Sequence, residues 1–566
     1  MIADESIIVS QDYADLLIEF HGDQNVFNAF PNAAVTVLSP VLAVVHVPVE
    51  DITEDTIQQL GYRVMPFIYG LISRASLEAS GILRIREVPS FDLRGQGVLI
   101  GIIDTGIDYT NPVFQNEDGT TRIDYIWDQT VLNGTPPEGI HYGSEFTKEQ
   151  INRALSDPDP LSIVPSTDEI GHGTMVAGIA GGTDDPDNDF YGVAPDSEFI
   201  IVKLKQAKNY LKRFFRIPET AIGFQGNDII IGVNYLVNTA RILNKPIVIC
   251  LAVGSSQGAH DGRSEIASYL SSVATTFGLC IVIAAGNEGN ARRHYYGVVD
   301  RTTGYNTVEL NVGENESGFW MELWGKSPSI FSIDITSPSG EYVPRIAASM
   351  NEHREITFIF EPTVINLDYQ MVESQTGDQL ILFRFDQPSA GIWRFNVYEK
   401  GDLNLGFHIW LPMEAFISPY TYFIRSDPNT TILSAGNSEV PITVTAYNDA
   451  DSSLYLNASR GYSRIGIIKP EIAAPGVNVT GPNLQHGFTN FTGTSAAAAH
   501  TAGAVALILE WGIVRNNLVE INTVAVKKLI ERGARRAADL NYPNRDWGYG
   551  ILDVYKVFDS LRTGLF

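Results

Sequence analysis

The sequence predicts an α/β protein: a doubly wound parallel sheet, preceded by a small ferredoxin-like α/β unit and interrupted by an inserted β-sandwich. Three observations predict it. Apolar runs alternate with helical stretches from about residue 80 to 290. Short β-like runs replace that texture from about 300 to 435, and it returns from about 436. The chain has 566 residues, 44% hydrophobic and 19% charged, so it is long enough for about two to four domains and apolar enough to bury their cores.

Residues 1–73 read as the first unit. "ADLLIEF", "AVTVLS" and "LAVVHVPV" are strand-like, "EDITEDTIQQLG" is a helix closed by Gly61, and "YRVMPFIYGLI" is a last strand. Two strand-helix-strand halves suggest the ferredoxin-like fold. In 74–299, "GVLIGIID", "FIIVKLK", "PIVICLAV" and "CIVIAAG" are continuous apolar runs between "HGTMVAGIAGG" and "NDIIIGVNYLVNTARIL". Strands without alternation belong to a parallel sheet covered on both faces. In 300–435, "GFWMELWG", "FSIDITSPSG", "REITFIFEP", "QLILFRF" and "GIWRFNVYEK" follow one another with no clear helix, as in a jelly-roll-like sandwich. In 436–566, "VPITVTAYN" and "KPEIAAPG" restore the first texture, and helices are expected over about 495–511 and 522–534.

The net charge is −27 and the pI about 4.7, which leaves no basic excess for nucleic acid. Cys250 and Cys280 sit in apolar runs and read as buried strand cysteines, too few for a disulfide framework or a cysteine metal site. The first twenty residues lack the pattern of a secretory signal, and no apolar run reaches 18 residues free of charge. The expected location is therefore inside the cell, with no transmembrane segment.

Four positions carry chemistry. Asp104 ends the run "GVLIGIID", where a parallel sheet presents strand ends to a ligand crevice. A turn or cap role, and the nearby Asp108, are its competitors. His172 lies between two glycines at the head of a small-residue helix, which argues for close backbone approach. Asn287 follows the apolar run of "IVIAAGNEGN", where its amide can face a developing oxyanion or simply make a turn. Ser495 heads the Ala-rich run "GTSAAAAH", at a helix N-terminus whose amides suit negative charge.

Together, and in this order, these segments resemble the subtilisin-like serine proteases. "IIDTGID", "GHGTMVAGIAGG" and "FTGTSAAAAHTAG" match the Asp, His and Ser boxes of that family, and "YGVAP" and "KPEIAAPG" resemble it too. The Asp, His, Ser order is the one known from subtilisin itself. The resemblance covers about residues 80–300 and 435–560. It implies that Asp104 orients His172, His172 is the general base, Ser495 attacks and Asn287 stabilises the oxyanion. Ala496 and Ala499 stand where the family commonly has Met and Pro, which the chemistry does not need. The family's Leu-Gly-Gly wall is replaced within "LAVGSS", so Ala252, Val253 and Gly254 are expected to line the substrate pocket.

The acidic loop "TDDPDNDF" falls near a family calcium loop. Its oxygens can bind calcium, but a solvated acidic turn is the competing and favoured reading, and no metal ligand is assigned. The first unit resembles a subtilase prodomain, a folding chaperone and inhibitor whose tail lies in the active site, with a cut expected near 66–76. The β-rich insertion, the prodomain and the "GTSAAAAH" variant are similar to the clostridial Csp germination proteases, which process the precursor of a cortex-lytic enzyme in spores, so the resemblance implies a cytoplasmic or spore-associated location. The implied function is an autoprocessing serine endopeptidase acting on protein or peptide substrates. Limited processing of a zymogen, such as a spore cortex hydrolase, competes with broad degradation. The alternative from another class is a non-catalytic sensor or scaffold plugged by its own prodomain. The basic run "KLKQAKNYLKRFFR" (203–216) is a surface loop or amphipathic helix, or else a docking patch for an acidic partner.

Overall fold

The computed structural model describes residues 5–31, 33–71, 80 and 92–562. Its largest sheet has nine strands. Leu99–Asp104 lies inside it, parallel to Ile247–Leu251 on one side and to Glu198–Lys203 on the other. Leu279–Ala284, Ile442–Asn448 and Ile472–Pro475 extend the parallel order on the first side, and Ile123–Asp128 does so on the second. Ser144–Thr147 and Ser453–Leu454 pair antiparallel at the edges. The expected sheet is thus parallel-rich and mixed. An edge strand that returns without a crossover helix has to run antiparallel.

Every residue of Leu99–Asp104 and of Leu279–Ala284 is buried, which is why neither alternates in sequence. Both sheet faces are covered. Ile100 reaches toward Gly181 of the helix His172–Gly181, while Gly101, pointing the other way, lies under Leu236 of the helix Gly226–Leu243. The helix Thr494–Leu509 packs on His172–Gly181 so closely that a Cβ on Gly503 would sit 2.4 Å from the Ala180 carbonyl. From Thr494 to Val514 the helix is long and apolar enough to cross a membrane, a length that the charge-free criterion missed because of Glu510. It is mostly buried as the core helix of this sheet. Cys250 and Cys280 are buried in the strands Ile247–Leu251 and Leu279–Ala284, and burial pushes both thiols far up.

The N-terminal residues form a three-stranded antiparallel sheet in the order Tyr13–Glu19, Leu42–Pro48, Ala34–Val37. The helix Thr56–Leu60 follows, and Gly61 ends it at φ 93°. The segment expected as this unit's last strand behaves differently. Tyr62–Val64 is a 3₁₀ turn, and Ile68–Leu71 leaves the sheet to pair elsewhere.

Two antiparallel sheets, of six and five strands, are built from residues between His294 and Phe423. Their facing side chains share one core, including Phe319, Met321, Leu323, Phe395 and Val397. In the strand Gly318–Gly325 the alternate residues Trp320 and Trp324 instead join the main core, as do Leu380, Leu382 and Trp410 of the same sheet. At the strand Gly318–Gly325 the sheet is therefore buried on both faces, which explains why "GFWMELWG" carries large apolar residues on both of them.

Candidate active site

Asp104 sits at the carboxyl end of its strand and is fully buried. Its Oδ1 accepts from the Thr105 amide at 2.8 Å and faces His172 Nδ1 at 2.7 Å. His172 is the first residue of its helix. Gly171, at φ 85°, turns the chain into that helix. A Cβ on Gly173 would fall 2.1 Å from the Gly106 carbonyl, so only glycine lets the helix start this close to Asp104. His172 Nε2 lies 3.1 Å from Ser495 Oγ. Ser495 is the second residue of the helix Thr494–Leu509, entered through Gly493 at φ 154°, a conformation open essentially to glycine. A carboxylate fixes the imidazole tautomer, and the imidazole is then free to take a hydroxyl proton.

Asn287 Oδ1 accepts from the Thr494 amide at 3.1 Å and from the Thr494 hydroxyl at 3.3 Å. With its oxygen held by Thr494, the residue before Ser495, the side chain's remaining polar group is its NH2 donor. Asp108, the competitor for that place, does not face His172. Its carboxylate faces His486 at 3.0 Å, and its amide donates to Thr174.

Asp168 escaped the sequence reading. It is buried and accepts from the Thr105 and Thr174 hydroxyls and from the amides of Ile170, Gly171 and Thr174. It ties the turn after Asp104 to the start of the His172 helix. Its spacing before "GHGT" was the available signal, but the donors it gathers are brought together only by the fold.

The segment Ile68–Leu71 lies between two short strands. Leu71 and Gly70 pair antiparallel with Val253 and Gly254, and Ile68 and Tyr69 pair with Gln225 and Phe224. Ala252, Val253 and Gly254, expected at the substrate wall, are buried, and two of them carry this pairing. An extended piece of the chain's own backbone thus occupies a two-sided β-groove. Of the expected cut region 66–76, residues 72–76 lie outside the described residues.

The basic run 203–216 is not a surface loop: it includes the short helix Asn209–Phe214, and its charges meet acidic groups of the chain itself. Lys205, Lys208 and Lys212 are buried. Lys205 pairs with Asp228 at 2.6 Å, and Lys208 pairs with Asp15 of the N-terminal unit at 2.8 Å. Arg216 pairs with Glu54 of the same unit at 2.7 Å. Burial raises the Asp15 carboxyl, but Lys208 and His46 outweigh it and hold the group well below the usual range. In the acidic loop 183–190, Asp184 pairs with Arg94 and Asp185 caps the turn at Asn188, so these carboxylates are engaged within the chain.

Residues 95–315 and 423–550 match the profile of the subtilase family, and the chain belongs to that family. Among solved structures, the CspB protease of Clostridium perfringens is 30% identical, with a TM-score of 0.77 over 86% of this chain and 97% of the other. The PII-type proteinase of Lacticaseibacillus paracasei is 23% identical over 551 residues, 86% of this chain and 27% of its own length. The subtilisin-like protease SBT3.3 of Arabidopsis thaliana is 24% identical over 445 residues, 73% of this chain and 56% of its own. The chain spans about a quarter of the length of the PII-type proteinase and about half that of SBT3.3.

Proposed function

We propose that the chain is a serine endopeptidase of the subtilisin type that cleaves its own N-terminal unit. One observation carries this reading: a hydrogen-bonded row of Asp104, His172 and Ser495 next to a groove filled by the chain's own extended segment. Ser495 Oγ attacks the scissile carbonyl while His172 Nε2 takes its proton. Asp104 holds the imidazole and stabilises the imidazolium. The Asn287 NH2 group and the amides at the start of the Ser495 helix receive the oxyanion. His172 returns the proton to the leaving amine, and water then releases the acyl group by the same route.

Residues 1–73 act as the prodomain, 74–299 and 436–566 as the catalytic domain, and 300–435 as an inserted β-sandwich of jelly-roll type. Ala252, Val253 and Gly254 line the pocket. The likeness to a CspB protease supports limited processing of a protein precursor, such as a spore cortex hydrolase, over broad degradation. Defined products from a peptide library would agree with that, and scattered cleavage would not. A second reading has its own support, because Ser495 is fully buried and the groove is occupied. It makes the chain a plugged sensor without turnover.

Expression of the chain and of Ser495→Ala, with a denaturing gel and N-terminal sequencing, separates the two. A fragment of about 8 kDa (some 73 residues of a 566-residue, 62.2 kDa chain) is expected only with Ser495 intact. Full-length protein in both cases would favour the sensor.

A further inference from the structure

The groove ladder has a rung that the catalytic backbone does not supply. Gly254 pairs with Gly70, and the short strand ends there. Side and backbone groups repeat every two residues along an extended chain, so the next amide on the same edge of the occupying segment is that of Ile68. The backbone beyond Gly254 has turned to other partners. The Ser255 carbonyl accepts from the Ser434 amide at 2.7 Å, and the Ser256 carbonyl lies 3.0 Å from His260 Nε2. The Ile68 N–H meets a side chain instead, Gln257 Oε1, at 2.8 Å. Gln257 is fully buried, and its backbone N–H donates to Ser255 Oγ at 3.2 Å.

The inserted sheets hold this residue in place. The Gly258 amide donates to Glu322 Oε2 at 2.9 Å. Ser256 Oγ donates to the Leu411 carbonyl at 2.9 Å. His260 stacks on Trp410, with ring centroids 4.2 Å apart and planes 9° from parallel. Arg464, paired with Asp378 at 2.7 Å, donates to the Ala259 carbonyl. The loop 255–261 is thereby pinned between the occupied groove and the insert.

Resting on the protease reading, we infer that Gln257 is a substrate-binding residue that clamps the backbone N–H of an extended substrate, at the position Ile68 takes in the chain's own tail. Such a contact reads backbone and not side chain. It demands an N–H there, so it rejects proline or an N-methylated residue at that position and tolerates most others.

The test has two arms. In the first, peptides spanning residues 62–79, with and without N-methylation at Ile68, are cleaved by the parent protein and by Gln257→Ala and Gln257→Glu. The parent is expected to prefer the unmethylated peptide about five- to twentyfold in kcat/KM, chiefly through KM. Gln257→Glu keeps an acceptor and should keep the preference, whereas Gln257→Ala should lose it. Equal preference in parent and Gln257→Ala overturns the inference. The second arm needs no activity. In the Ser495→Ala background, hydrogen exchange at the Ile68 amide should be about tenfold faster with Gln257→Ala and unchanged with Gln257→Glu. Unaltered exchange in Gln257→Ala overturns the clamp. If the parent cleaves neither peptide and shows no self-cleavage, the protease reading fails, and the exchange arm alone decides this one.

Discussion

At the residue scale, the site separates into groups that move protons and groups that hold them in register. Asp104→Asn leaves the shape but presents an amide to His172 Nδ1, which favours the wrong tautomer. Turnover is expected to fall about ten-thousandfold with KM little changed. On the proposed mechanism Asn287→Ala removes one oxyanion donor, with an expected loss in kcat of about a hundred- to a thousandfold, a magnitude that belongs to subtilisin, a member of the same family. Initial rates on one peptide check both. A larger effect for Asn287→Ala than for Asp104→Asn would mean the roles are misassigned. Asp104, His172, Asn287 and Ser495 were legible in the sequence because each sits where an apolar run stops or a small-residue helix starts. Asp168 and Gln257 were not. Their partners are the Thr105 hydroxyl and the Ile68 amide, and no local pattern announces that a fold will deliver those groups.

At the scale of elements, the same line divides what could be read. Continuous apolar runs gave away the parallel strands, and the Ala run before Gly503 gave away a helix lying against its neighbour at backbone distance. Extended propensity in "FIYGL" was equally plain, but propensity says nothing about the partner. Ile68–Leu71 pairs in the groove because Val253–Gly254 and Phe224–Gln225 offer it two open edges. The basic run was visible as a charge anomaly, and its meaning depended on Asp15 lying opposite. That contact is a network. Asp15 takes Lys208 and His46 on one oxygen and Gln225 on the other, while the Tyr210 hydroxyl donates to its carbonyl and accepts from its amide. Removing one partner of a buried pair leaves the other charge uncompensated, at about 3–5 kcal/mol. Lys208→Met should therefore release the N-terminal fragment after processing. Size-exclusion chromatography of the processed protein reads this directly. Co-elution of the fragment with Lys208→Met at parental affinity would sink the idea that this pair holds the unit.

At the scale of the whole molecule, the N-terminal unit is gripped by the catalytic sheet and by the insert together, and that grip carries a pH dependence. Tyr62 donates to Glu322 of the insert, and Arg63 pairs with Glu265. Glu54 pairs with Arg384 and Arg216, and the His353 amide donates to Gln58. Burial pushes both Glu322 and Glu265 up to about 7 from an ordinary 4.5, against the bonds from Tyr62, Trp324 and Gly258 in the first case and the pull of Arg63 in the second. Departure of the unit removes Tyr62 and Arg63 and admits water, so both carboxyls return toward 4.5. The attached state then holds more protons than the separated one. These groups favour attachment fully below pH 4.5 and cease to do so as pH rises through 7. His353 is raised by its bond to Asp368, but both residues lie in the insert, so that bond outlasts release and does not enter this balance. Asp15 and Glu54 are lowered groups, and their contribution fades only when the pH falls below the ordinary carboxyl range. His260, His294 and His408 are kept low by burial, and their partners are Trp410, one another and the carbonyls of Ser256, Ile432 and Asp427, not the N-terminal unit. They bear on global unfolding and not on release. The dissociation constant of the processed fragment should rise between pH 5 and 7, by up to about tenfold per pH unit for each carboxyl, and level off above 7. Glu322→Gln imitates the protonated acid and should take its share out of that slope. Binding measured at pH 5, 6, 7 and 8 decides it. A flat profile in the parent, or an undiminished slope in Glu322→Gln, would show that these carboxyls do not set the grip.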